Sequence, residues 1–136
     1  MEEILPAVDV LSLHCSLNRS TRGMISEREL GMMKPTSGII NTARAQLIDE
    51  EAMERVIMEK RLAFAALDVF AVEPTGPEHP LLGLENVILT PHLASWTTEA
   101  LYREVRGAVD SVLALCGGAE IPGLINPEFR EYDHAR

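Results

Sequence analysis

Three short runs in this chain are apolar at consecutive positions: Ile39-Ile40, Ala65-Ala66-Leu67 and Val87-Ile88-Leu89. Neighbouring residues of a strand point to opposite faces of a sheet. A sheet with one wet face would alternate apolar and polar residues, so these runs predict parallel strands that need cover on both faces. The segments between them have helical spacing. That pattern constrains the chain to an α/β fold built from parallel βα units.

The runs predict strands over residues 8–13, 38–42, 63–69 and 87–90. Ser26 and Glu29 have the spacing of a capping box, with Ile25 and Leu30 placed to form its apolar staple. Asp49 is placed to cap a helix whose Ala52, Met53, Val56 and Ile57 share one side. A loop containing Pro and Gly runs from Glu73 to Pro80. A long helix over 97–116 carries Leu101, Val105, Ala108, Val109, Val112 and Leu113 as its stripe, and Gly117-Gly118 stops it. The tail, 119–136, contains Pro122 and Pro127 and reads as irregular. Residues 1–136 are thus expected to form one partial domain, the four-strand half of a doubly wound sheet. Its first strand has an open, nearly uncharged edge of the kind that seeks a partner.

Twelve basic and 21 acidic residues give a net charge of −9. That sign repels phosphate backbones and anionic lipid, which argues against nucleic-acid and membrane partners. No apolar run approaches the roughly 18 to 20 residues of a membrane span. The acidic start, Met1-Glu2-Glu3, lacks the basic opening of a signal peptide. Cys15 and Cys116 show no metal or redox spacing and are expected as buried, reduced thiols of a cytoplasmic protein.

Ligands of open parallel sheets bind beyond the C-terminal strand ends. The polar residues there are His14 after the first strand, Asn41, Thr42 and Arg44 after the second, Asp68 after the third with Glu73 beyond, and His92 after the fourth. Reduction of a 2-keto acid needs a proton donor, and histidine changes charge near neutral pH. A neighbouring carboxylate favours the imidazolium and fixes the ring. A guanidinium grips a carboxylate through two hydrogen bonds. His92, Glu73 and Arg44 suit those three tasks. A serine hydrolase is disfavoured, because no Gly-x-Ser-x-Gly elbow is present. His92, His79 and Glu73 lie too irregularly in a Pro-rich loop for a metal site, and none is expected. His79 and His134 read as solvated.

The strings Ile40-Asn41-Thr42-Ala43-Arg44, Ala65-Ala66-Leu67-Asp68-Val69-Phe70, Glu73-Pro74 and Leu89-Thr90-Pro91-His92 resemble the D-isomer-specific 2-hydroxyacid dehydrogenases. So do Ser12-Leu13-His14-Cys15-Ser16-Leu17, Met33-Lys34-Pro35 and Ile125-Asn126-Pro127-Glu128. The resemblance runs from about Val8 to Phe129. It implies a Rossmann-like fold, an NAD or NADP cofactor, a small 2-keto or 2-hydroxy acid substrate and a homodimer. By the same resemblance Arg44 binds the substrate carboxylate, His92 is the acid/base and Glu73 its partner. Asp68 contacts the nicotinamide carboxamide, and His14, Thr42 and Ala43 join Arg44 and His92 along the cofactor.

The family usually has Gly where Ala45 and Phe64 stand, and often Pro where Ser16 stands. Trp96 resembles instead the C-terminal-binding-protein corepressors, which share the fold. Ala45, Phe64 and Trp96 motivate an alternative, a non-catalytic interaction module that pairs through its open edge. The nine glycines form no Gly-x-Gly-x-x-Gly, so the usual pyrophosphate cradle is missing from this chain. The expectation is half of a cofactor site, with weak or no turnover by the chain alone.

Overall fold

The computed structural model describes residues 1–126 and 128; His134, Pro127, Phe129 and the rest of the tail lie outside them. The chain divides into two compact units, Met1–Ala94 and Ser95–Arg136.

The first unit contains β1 (Val10–Leu13), α1 (Glu27–Met32), β2 (Gly38–Asn41), a 3-10 turn (Ala45–Leu47), α2 (Glu50–Met58), β3 (Phe64–Leu67) and β4 (Val87–Leu89). The strands form one parallel sheet in the order β1-β2-β3-β4. All four are shorter than the apolar runs suggested. The outer residues belong to turns: Lys34 pairs with the Asp9 carboxylate before β1 at 2.5 Å, and Asp68 leaves β3 to receive the His92 amide.

Both short helices begin as their sequences dictate. Ser26 and Glu29 form the reciprocal box at the start of α1, with Ile25 and Leu30 buried beside it. Asp49 Oδ1 accepts the Ala52 N–H at 3.1 Å and starts α2. Glu27 of α1 binds Arg55 of α2 at 2.9 Å and also Arg61 just beyond it. These exposed pairs tie the helices together while contributing little stability. Leu30, Met53, Val56 and Ile57 pack with Ile39, Ala65 and Leu67 into one aliphatic core.

Burial is one-sided. Across the sheet Leu11, Ile39, Ala65 and Val87 are register partners, and all four are buried or half-buried. On the opposite face Ser12, Ile40, Ala66 and Ile88 are partners; the central two are half-buried and Ile88 is 66% exposed. The apolar character of both faces therefore exceeds what α1 and α2 cover.

Phe64 finds its space in Gly38, its register partner on β2. A Cβ added at Gly38 would lie 2.3 Å from the Phe64 ring. The glycine supplies the hollow that the aromatic ring fills.

In the second unit α3 spans Thr98–Cys116. Thr97 caps it by accepting the Ala100 N–H at 3.1 Å. Its stripe of Leu101, Val105, Val109, Val112 and Leu113 is exposed. The expected burial of both thiols does not hold. Cys15 is half-buried beside Met24, whereas Cys116 is exposed in the last turn of a helix with no buried residue. Among the described residues, no helix is long and apolar enough to cross a membrane.

Gly38→Ala is expected to cost about 1–3 kcal/mol by overpacking, read as a lower denaturant midpoint. Phe64→Ala in the same chain should remove most of that increment. An additive double variant would show that the ring and the glycine do not share the space.

Candidate active site

The site is built where the loops leave the C-terminal ends of β2, β3 and β4. Asn41 ends β2 and is 1% exposed. Its Oδ1 accepts the Ala43 N–H at 3.0 Å, and its Nδ2 donates to the Arg44 carbonyl at 2.9 Å. The side chain thus folds the loop that presents Arg44. The Arg44 guanidinium donates to the Ala43 carbonyl at 2.6 Å and has no carboxylate partner among the described residues. Ala45 opens the 3-10 turn and has no positive φ, so replacing the family's usual glycine introduces no strain.

Asp68 follows β3 and is 3% exposed. Oδ1 accepts from Thr90 Oγ1 at 2.5 Å and from the Leu93 N–H at 2.8 Å. Oδ2 accepts from the Ala94 N–H at 2.9 Å. Burial pushes this carboxyl up, but the Thr90 hydroxyl, the two amides and the nearby His92 together outweigh it and hold it below its ordinary value.

Glu73 and His92 meet beyond the strand ends, with Glu73 Oε2 2.8 Å from His92 Nδ1. The other oxygen, Oε1, accepts the Phe70 N–H at 2.9 Å, which anchors the carboxylate to the loop. A carboxylate only accepts, so Nδ1 carries the hydrogen and Nε2 is the ring atom left for another partner. The bond to His92, followed by that from Phe70, holds the Glu73 carboxyl below its usual range. His92 has φ 55°, in the left-handed region.

Arg44, Gln46, Ala71, Glu73 and His92 line one cleft of about 230 Å³. A more apolar cleft of about 560 Å³, with Pro74, Leu82, Leu89 and Pro91 in its walls, shares Glu73 and His92. The three residues expected to do chemistry, Arg44, Glu73 and His92, therefore come together, with Asp68 joined to the same turn. His14, exposed, contacts Ser12 Oγ at 2.7 Å after edge strand β1. Thr42 is exposed and Ala43 half-buried after β2. These three lie along the rim rather than in the Arg44 cleft.

His79 is not solvated, contrary to expectation. The Leu81 N–H donates to its Nδ1 at 3.3 Å, and its ring meets Phe70 edge-on at 5.3 Å. Nε2 faces Glu54 at 3.7 Å, and burial pushes the Glu54 carboxyl up. Glu50, Glu54 and His79 bring their ligand atoms within 4.8 Å of one another. With Nδ1 accepting, Nε2 bears the hydrogen and points a donor at the carboxylate instead of a metal-binding lone pair. Two supporting residues carried no role in the sequence reading, Asn41 and Thr90. Their only signal was a polar side chain at a strand end.

Asp68 and Glu73 have depressed carboxyls in the folded chain. Such groups add stability above the ordinary carboxylate range, and that stability is lost as pH falls through the folded values. The thermal midpoint should therefore fall between about pH 5 and pH 2. The Glu73→Gln variant should show a shallower fall, and an identical profile would contradict the assignment.

Residues 1–94 match the family model of the D-isomer specific 2-hydroxyacid dehydrogenase NAD-binding domain. The chain is 41% identical over 128 residues to a glyoxylate reductase of Aeropyrum pernix, covering 94% of this chain and 38% of that protein. It is 34% identical over 128 residues to glyoxylate/hydroxypyruvate reductase B of Enterobacter agglomerans, covering 94% and 40%. The solved NAD-complexed D-isomer specific 2-hydroxyacid dehydrogenase of Lactobacillus delbrueckii ssp. bulgaricus matches with a TM-score of 0.83 at 29% identity, covering 93% of this chain and 42% of that one. The chain thus spans about two fifths of the length of these relatives. It belongs to the D-isomer-specific 2-hydroxyacid dehydrogenase family and carries the C-terminal part of that family's NAD-binding domain.

Proposed function

We propose that this chain supplies the proton-transfer and carboxylate-binding side chains of an oxidoreductase acting on a small 2-keto or 2-hydroxy acid with NAD or NADP. The observation that carries the reading is the Glu73–His92 pair opening on the same cleft as Arg44. Glu73 fixes the imidazole through Nδ1, so Nε2 is the atom that gives a proton to the substrate carbonyl oxygen in reduction and takes it back in oxidation. Arg44 holds the substrate carboxylate through two N–H groups and draws charge from the adjacent carbonyl.

The nicotinamide cofactor supplies the hydride. Part of its site fits the residues present. Asp68 is 3% exposed and its carboxylate accepts from Thr90, Leu93 and Ala94, so its contact with the carboxamide rests on the family resemblance alone. His14, Thr42 and Ala43 extend the rim across β2 and β1, the direction a dinucleotide would follow. The Gly-rich pyrophosphate loop is absent from this sequence. We accordingly assign only half of the site to this chain, and pairing of the open β1 edge with a further strand, or a homodimer, to its completion. The reduced cysteines support a cytoplasmic setting.

Two of the three departures that motivated a non-catalytic module lose their force. Phe64 is accommodated by Gly38, and Ala45 needs no glycine. Only the exposed Trp96 still speaks for it.

Calorimetric titration of the chain with NADH should show weak or no binding. Addition of a polypeptide bearing the Gly-rich half should bring it to the micromolar range, a free energy of about −8 kcal/mol. Steady oxidation of NADH with glyoxylate by the chain alone would sink the half-site reading. In the completed enzyme His92→Ala should lower kcat about 10²–10⁴-fold. Undiminished turnover would remove His92 from the chemistry.

A further inference from the structure

The geometry points to Asp68 as the positioning residue for His92: its buried carboxylate clamps the Thr90–Ala94 turn and so holds the imidazole against Glu73. The inference deepens the reading proposed above and rests on it for the catalytic meaning of that placement.

A non-glycine residue in the left-handed region is strained and persists only where the surroundings over-determine it. Most hydrogen bonds that hold the backbone around His92 go to Asp68, beside one from the His92 N–H to the Thr90 carbonyl at 3.0 Å. The Asp68 carbonyl accepts the His92 N–H at 2.8 Å. Its carboxylate takes the next two amides, Leu93 on Oδ1 and Ala94 on Oδ2, and the Thr90 hydroxyl before the histidine. One residue thus holds the turn on both sides of His92. It does so from the end of β3, whose register places it beside Asn41, with the Asp68 N–H bonded to the Asn41 carbonyl at 3.0 Å.

The two backbone amides reach different oxygens of Asp68. An asparagine has one oxygen and one NH₂, so in either amide orientation one N–H donor would face another donor. The near-isosteric Asp68→Asn variant therefore loosens the turn without emptying a volume.

The side chains that face His92 are Glu73 by hydrogen bond, Asp68 through its charge, and Arg44 across the shared cleft. This makes Glu73 a reporter. Its carboxyl sits low chiefly because of His92, and the Asp68 charge works the other way and raises it. Asp68→Asn thus has two effects of opposite sign. Loss of the charge alone moves the Glu73 titration lower. Release of His92 moves it upward, toward the ordinary glutamate range.

The experiment is an NMR titration of the Glu73 side-chain carboxyl carbon in the full chain, comparing wild type, Asp68→Asn, Thr90→Val and His92→Ala. The expected result is an upward shift in Asp68→Asn that covers most of the distance to His92→Ala. A smaller upward shift is expected in Thr90→Val, which removes one donor and no charge. A downward or unchanged titration in Asp68→Asn, with the β2 and β3 amide resonances preserved, overturns the proposal. Should Asp68→Asn fail to fold, the sign of the Thr90→Val shift decides in the same way. No cofactor or substrate is in the tube, so the outcome is separate from hydride transfer. An upward shift together with a fully active His92→Ala completed enzyme would keep the positioning role and sink the proposed reaction.

Discussion

Two buried polar side chains at neighbouring strand ends, Asn41 and Asp68, hold the loops from which the site is made. Burying an amide or a carboxylate is costly unless its hydrogen-bonding capacity is met. Here it is met for Asn41 by the segment leaving β2 and for Asp68 by the segment leaving β4, and among the described residues no buried side-chain polar atom lacks a partner. The consequence is a strict dependence of site on sheet. The β2–β3 register sets where Asn41 and Asp68 stand, and their hydrogen bonds set where Arg44 and His92 stand. A one-residue slip of β3 would turn Asp68 to the other face and release the 90–94 turn, whereas the bonds of Asn41 lie within its own loop.

The core below this rim is aliphatic and one-sided. α1 and α2 press Leu30, Met53, Val56 and Ile57 onto Ile39, Ala65 and Leu67. The opposite face offers Val10, Ile40, Phe64, Ala66 and Ile88, none of them buried. Doubly wound sheets clothe both faces. A half-clothed sheet suits a chain that spans two fifths of its relatives, and the edge of β1 is where the remaining strands of such a sheet would join.

Much of this was legible in the sequence, for local reasons. Runs without alternation signalled parallel strands, and the capping residues Ser26 and Asp49 marked their helices because a cap acts over three residues. The polar residues after each run could be assigned to one rim because parallel strands share one C-terminal end. What stayed hidden depends on contacts distant in sequence. Gly38 accommodates Phe64 only through the β2–β3 register. His79 looked like a loop histidine and is instead packed on Phe70, because the 73–80 loop folds back onto α2. Cys116 read as buried from its apolar neighbours, yet a helix has more than one side. The anchoring role of Asp68 could not be seen either, since three of its donors lie 22 to 26 residues further along the chain.

The left-handed backbone at His92 has a consequence for how this fold balances durability against chemistry. Glycine would occupy that conformation without penalty, and stabilities of natural proteins are commonly improved by relieving such positions. On the reading proposed above, the same exchange would delete the imidazole that Glu73 orients and that hands over the proton. On that reading, position 92 is one where a more robust chain and a working proton donor make opposite demands on a single residue.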